Sequence, residues 1–182
     1  MFALRNRLAP QLARSFSSSS SRLVAAGDKI PSVSLFEGSP GNEVNLAEEA
    51  ASGKAVIVGV PGAFSPACLA SHIPGFLSHL SAFQDKGYKS IYVTGVNDAF
   101  VFKAWGEAIN AKGTEGVRFL ADPKGEFAKK WDVLFDASKF FGNERSERYA
   151  VLVDNGKVTH AFVEPEKTSI DVSAAEEVLK QI

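Results

Sequence analysis

An α/β fold, with a central mixed sheet flanked by helices, is what this sequence predicts. Three observations carry the prediction. The run Ala55-Val56-Ile57-Val58-Gly59-Val60 is continuously apolar, the pattern of a strand buried on both faces. Similar runs alternate along the chain with segments of helical character, the order that builds an α/β domain. Near the C-terminal end, Asp154-Asn155-Gly156-Lys157 joins two further apolar runs through a strong hairpin turn, so part of the sheet is antiparallel.

The elements follow in order. Residues 33–36 and 43–46 form a short hairpin around Glu37-Gly38-Ser39-Pro40-Gly41-Asn42. Residues 54–60 are a strand. Residues 67–84 are mostly helix, with a kink expected at Pro74-Gly75. Residues 88–95 are a strand, and residues 99–111 a helix with Asn97 or Asp98 as its N-cap. Residues 117–121 are a strand and 123–131 a short helix. Residues 148–154 and 158–163 pair across the hairpin turn, and 173–182 is the last helix. This order matches a thioredoxin-like fold, which by itself does not define an activity.

Composition narrows the class. The formal net charge of −1 gives no electrostatic footprint for nucleic acid. No stretch of about 18 consecutive apolar residues exists, so no membrane-spanning helix is expected. One cysteine among 182 residues excludes an intrachain disulfide and any cysteine-rich zinc site. No other metal site and no cofactor are expected.

Residues 1–26 read as a separate segment. They carry Arg5, Arg7, Arg14 and Arg22, no acidic residue, and a serine block at 17–21. Leu4, Leu8 and Leu12 recur at helical spacing. An arginine- and serine-rich, acid-free, amphipathic start is the signature of a mitochondrial presequence. Arg14-Ser15-Phe16-Ser17 resembles its cleavage site. The chain is therefore expected in the mitochondrial matrix, with the folded domain spanning 27–182.

Chemistry concentrates in Pro61-Gly62-Ala63-Phe64-Ser65-Pro66-Ala67-Cys68. The sole cysteine stands where a buried strand turns into a helix. Unpaired N–H groups and the positive end of the helix dipole favour a thiolate there. A lone cysteine is ordinarily a small buried hydrophobe. The flanking Pro-Gly and Ser-Pro pairs describe a shaped turn instead.

The pattern Pro61-x-x-x-Ser65-x-x-Cys68 resembles the active-site motif of the peroxiredoxins, and with Ser71-His72-Ile73-Pro74-Gly75-Phe76 it is similar to the peroxiredoxin five subfamily. Further blocks agree: Val96-Asn97-Asp98-Ala99-Phe100-Val101, Trp105-Gly106, Leu120-Ala121-Asp122-Pro123, Phe141-Gly142-Asn143, Arg145-Ser146-Glu147-Arg148-Tyr149 and Val163-Glu164-Pro165. They cover the whole expected domain.

The resemblance implies a thiol peroxidase that reduces hydrogen peroxide and alkyl hydroperoxides. Cys68 is the implied nucleophile, oxidised to a sulfenic acid. Arg148 is the implied active-site arginine, holding the thiolate and stabilising charge on the breaking O–O bond. Ser65 replaces the usual threonine and is expected to donate to the sulfur. Pro61 shields the thiolate and adds no competing N–H. Gly62 and Cys68 offer backbone N–H groups to the peroxide. His72, one helical turn past Cys68, is expected to support the pocket. Arg145 is expected to brace the loop or a dimer surface. Asp98 and Asp122 read as helix caps, His79 and His160 as surface or packing residues. Phe64, Phe76, Phe100, Phe102, Phe119 and Phe127 read as core or interface, some able to wall an apolar pocket.

Many relatives carry a second, resolving cysteine. Here Val172 stands near that place, and an intrachain resolving step is impossible. The implied cycle is of the one-Cys type, closed by glutathione with glutaredoxin or by thioredoxin. A redox-sensing or holdase-like protein using the same cysteine is the alternative class. A disulfide oxidoreductase is disfavoured by the absence of Cys-x-x-Cys. A homodimer is expected, with Pro61 to Ser65, Trp105 and Phe140-Phe141 at its contact.

Overall fold

The computed structural model describes residues 23–109 and 114–182. Among these, seven strands form one mixed sheet and two more a small separate sheet, accompanied by seven α-helices and one π-helical turn. Strands β1 (Ser34–Phe36) and β2 (Glu43–Asn45) form the expected hairpin, followed by a single turn, α1 (Leu46–Glu49), capped by the Asn45 side chain. Strand β3 (Lys54–Gly59) leads into the cysteine loop. A π-helical turn (Cys68–His72), α2 (Ile73–Ser78) and α3 (Leu80–Asp85) return the chain to β4 (Tyr88–Gly95). Helix α4 (Ala99–Ala108), β5 (Val117–Ala121) and α5 (Glu126–Lys130) follow. A two-stranded excursion comes next, built of β6 (Leu134–Asp136), α6 (Ser138–Phe141) and β7 (Glu144–Ser146). The hairpin β8 (Tyr149–Asp154) and β9 (Lys157–Val163) and helix α7 (Ala175–Leu179) complete the chain.

The main sheet runs β2-β1-β5-β4-β3-β8-β9. Strand β3 lies in the interior of the sheet, parallel to β4 and antiparallel to β8. Its side chains alternate between two cores. Val56 and Val58 face a layer of Ile73, Phe76, Phe83, Phe102, Trp105 and Val178 from the helices. Ala55 and Ile57 face Phe127, Trp131, Tyr149 and Val151. Burial on both faces accounts for the unbroken apolar run.

Four expectations change. The helix expected over 67–84 is divided into a π-helical turn, α2 and α3. Pro74 sits in the first turn of α2, directly after the π-helical turn. The irregularity lies on either side, in the π-helical turn and at His79. The excursion β6-α6-β7 was not foreseen, because elements of three or four residues carry no periodicity. Trp105 is fully buried in the core and cannot serve a dimer contact. Packing also reaches upstream of residue 27: Val24 is buried and its N–H donates to the Trp131 carbonyl at 3.2 Å. The presequence reading for 1–22 lies outside the described residues, as do the last two residues of the helix expected over 99–111. Among the described residues no helix is long and apolar enough to cross a membrane.

Candidate active site

The site forms where β3 ends and its neighbours β4 and β8 converge. Val60 is tied to β4 by its N–H on the Thr94 carbonyl, 3.0 Å. The loop then closes on itself. Ser65 directs both its N–H (3.3 Å) and its hydroxyl (2.9 Å) to the Gly62 carbonyl. Phe64 adopts the left-handed conformation, φ 60°, to make that turn. The Leu69 N–H reaches the Ser65 carbonyl at 2.9 Å and starts the helix. Asn97, one of two expected N-caps, caps nothing. Its side-chain oxygen instead accepts from the Ala63 N–H at 3.0 Å and stitches the loop to the end of β4. Asp98 alone caps α4, accepting from Phe100 and Val101.

Cys68 begins the π-helical turn and is 0% exposed. Arg148, just before β8, is 1% exposed. Its Nη1 lies 3.4 Å from the Cys68 Sγ and its Nε donates to the Thr168 carbonyl at 3.1 Å. A buried guanidinium requires an anion or carbonyl oxygens around it. Among the described residues Arg148 makes no ion pair with a carboxylate; it faces the sulfur and the carbonyl.

Beside this pair opens a pocket of about 340 Å³, lined by Pro61, Ser65, Pro66, Ala67, Phe140, Phe141, Arg148 and Thr168. The wall is largely apolar and the guanidinium is its one charge. Gly62 lies behind Phe141: a Cβ there would come within 3.1 Å of the ring. A Cβ at this position would require the half-buried Phe141 ring to shift by a few tenths of an ångström. Arg145 braces the same wall. Its Nη1 donates to the Val96 carbonyl and its Nε to Asn143, each at 2.8 Å, and it lies over the Phe141 ring.

The structure brings Cys68, Arg148, Ser65 and Pro61 together. Ser65 lines the pocket, but its single hydroxyl proton is given to Gly62, so donation to sulfur requires the hydroxyl to turn. His72 is elsewhere: it is buried away from the pocket wall, its Nε2 3.2 Å from the Ser173 carbonyl and its ring edge-on to Phe76. Burial, and then the charge of Arg148, lower its pKa from 6.5 to about 3. Asp122 accepts from the Ala128 N–H at 3.0 Å and so satisfies a donor in the first turn of α5, although the N-cap residue of that helix is Gly125. Thr168, which holds Arg148, was missed; its contribution is a backbone carbonyl, to which residue type gives no clue.

Comparison with known proteins agrees with this architecture. The redoxin family model matches residues 25–179. Over 160 residues the chain is 46% identical to peroxisomal membrane associated protein 20 of Schizosaccharomyces pombe, covering 88% of this chain and all of that one. It is 40% identical to peroxiredoxin-2C of Oryza sativa, covering 87% and 98% of the two chains. Among solved structures, reduced Prx3 of Vibrio vulnificus in complex with hydrogen peroxide superposes with a TM-score of 0.81 at 38% identity, covering 88% and 100%. The chain belongs to the redoxin family. Within it, this is a peroxiredoxin, a thiol-dependent peroxidase whose sequence holds one cysteine.

Proposed function

We propose that Cys68 reduces hydrogen peroxide and alkyl hydroperoxides by direct displacement. The thiolate sulfur attacks one peroxide oxygen and the O–O bond breaks. Sulfur is oxidised to a sulfenic acid, and the departing oxygen takes up a proton and leaves as water or an alcohol. The observation that carries this reading is the buried Arg148 guanidinium, 3.4 Å from the sulfur and without a carboxylate ion pair among the described residues. It favours the ionised sulfur and is placed to meet the charge that spreads over the O–O bond. The bound peroxide of the Vibrio relative supports the same substrate. Phe140, Phe141, Pro66 and Ala67 supply apolar surface for an alkyl group.

The sulfenic acid is resolved by an external thiol, since the chain has no second cysteine. One thiol condenses with it to a mixed disulfide and water; a second thiol releases Cys68 and carries away the disulfide. Because Cys68 is fully buried, the cysteine loop must open for a reductase to reach it. Glutathione with glutaredoxin, and thioredoxin, are the two reductants to compare. The test is steady-state consumption of hydrogen peroxide with each supply in parallel, with dimedone trapping at Cys68. Cys68→Ser is expected to abolish both signals. Rapid turnover by Cys68→Ser would remove the reading, and stoichiometric oxidation without turnover would point to a redox sensor.

Two further proposals concern assembly and address. Phe64 (46% exposed) and Phe140 (80% exposed) flank the site and suit a two-fold contact between copies. Light scattering at micromolar concentration is expected to give a dimer that Phe140→Asp weakens. A fusion of residues 1–30 to a fluorescent protein is expected in the mitochondrial matrix; a cytosolic signal would refute that address.

A further inference from the structure

One buried carboxylate takes no part in the proposed chemistry and is nevertheless richly hydrogen-bonded. Glu164 follows β9 and is 1% exposed. Its Oε1 accepts from the Asp171 N–H at 2.7 Å, the Ser173 N–H at 2.8 Å and the Ser173 hydroxyl at 2.6 Å. Its Oε2 accepts from the Ser169 hydroxyl at 3.0 Å. Burial raises the carboxyl's pKa, but these donors outweigh it and hold the group below its ordinary value. Four donors from residues 169–173 therefore close on one anion and fold that segment into a compact strap.

The strap, together with Lys167 and Thr168 just before it, contacts Arg148 directly and reaches the turn that carries Cys68 only through His72. On one side the Lys167 and Thr168 carbonyls receive the Arg148 N–H (2.7 Å) and Nε (3.1 Å), while the Glu164 N–H returns to the Arg148 carbonyl at 2.9 Å. On the other side Ser173 meets His72, whose Nε2 lies 3.2 Å from the Ser173 carbonyl. A carbonyl only accepts, so Nε2 carries the proton of the neutral ring. His72 belongs to the same π-helical turn as Cys68.

We propose that Glu164 is a positioning residue for Arg148, gathering residues 164–173 so that the Thr168 carbonyl orients the guanidinium beside Cys68. This rests on the reading that Cys68 and Arg148 are the reacting pair. Glu164 touches neither peroxide nor sulfur. Its effect passes through Arg148, and that gives it a signature a purely structural residue lacks.

The experiment is a double-mutant cycle on the full chain. Glu164→Gln keeps the side chain's shape but removes its charge and turns one acceptor into a donor. Ser173→Ala removes the 2.6 Å contact and is the milder variant should Glu164→Gln not fold. Each is made in the native and in the Arg148→Ala background. The rate of Cys68 oxidation by hydrogen peroxide is measured beside its alkylation by iodoacetamide. In the native background Glu164→Gln is expected to slow peroxide oxidation about tenfold, the scale of one lost hydrogen bond to a charged group. Alkylation changes less, since it needs no guanidinium on an O–O bond. In the Arg148→Ala background the further loss is expected to fall to about twofold or less, because the two residues act as one unit. An equal loss in both backgrounds, or no loss in folded Glu164→Gln and Ser173→Ala, overturns the proposal. If Arg148→Ala itself costs nothing, the reacting pair is wrong and the positioning role falls with it. If Arg148→Ala is slow and Glu164→Gln is not, only the positioning role fails.

Discussion

The Nη1 of Arg148 and the Sγ of Cys68 lie 3.4 Å apart, although 80 residues separate them in the chain. The contact exists because β3 and β8 pair directly, Gly59 opposite Tyr149, so the loop after one strand meets the residue before the other. Arg145 lies on the neighbouring strand β7 and points to the back of the same pocket, onto Phe141 and the Val96 carbonyl. Two arginines thus serve one site, one at the sulfur and one at the wall.

Arg148→Ala is expected to slow oxidation of Cys68 by hydrogen peroxide at least about a hundredfold, the scale of removing a preorganised charge-stabilising donor. Arg145→Ala should cost far less with this small substrate. Stopped-flow rates for the two variants decide the matter, and equal losses would show the assignment is wrong.

Phe141→Ala is expected to discriminate between substrates. The ring lines the pocket, so its loss should raise KM for a bulky aromatic or alkyl hydroperoxide by about tenfold, in line with about 1–3 kcal/mol for a truncated apolar contact. The rate with hydrogen peroxide should move much less. Parallel kinetics with both peroxides supply the comparison.

Gly59→Ala tests the joint between β3 and β8. The Tyr149 ring lies across Gly59 so closely that an added Cβ would overlap its carbons. Tyr149 is itself buried against Trp131 and has no free space to retreat. Overpacking of this kind costs about 1–3 kcal/mol or more. A lowered urea midpoint, or failure to fold, is expected; unchanged stability would mean the ring is not held there.

His72 makes stability pH-dependent. Burial, followed by the charge of Arg148, lowers its pKa in the folded chain from 6.5 to about 3. Between these values the unfolded chain binds a proton that the folded chain refuses. Its contribution is therefore fully present above pH 6.5 and is lost as the pH falls toward 3, with a slope of up to about 1.4 kcal/mol per pH unit. Urea unfolding at pH 7, 6 and 5 should show the decline, and His72→Gln should flatten it.

Much of this was legible in the sequence. Continuous apolar runs marked β3 and β8 because strands buried on both faces have no polar side to show. The turn residues around Cys68 marked a shaped strand-to-helix junction, and the count of one cysteine determined that no second sulfur in the chain can resolve it. Those are local or compositional properties. Other features needed the tertiary structure. Arg145 and Arg148 are alike in type and three positions apart; only strand pairing decides which one reaches the sulfur. Trp105 looked available for a contact between copies, yet the packing of α4 on β5 turns it into the core. Asn97 and Asp98 both suited a cap, and the approach of the cysteine loop gave them different partners. Glu164 and Ser173 drew no notice as a pair, because a carboxylate gathering backbone N–H groups leaves no periodic trace. Spacing and composition record what a segment does by itself; which distant side chains and carbonyls meet is set by sheet register and by the requirement that buried polar groups be satisfied.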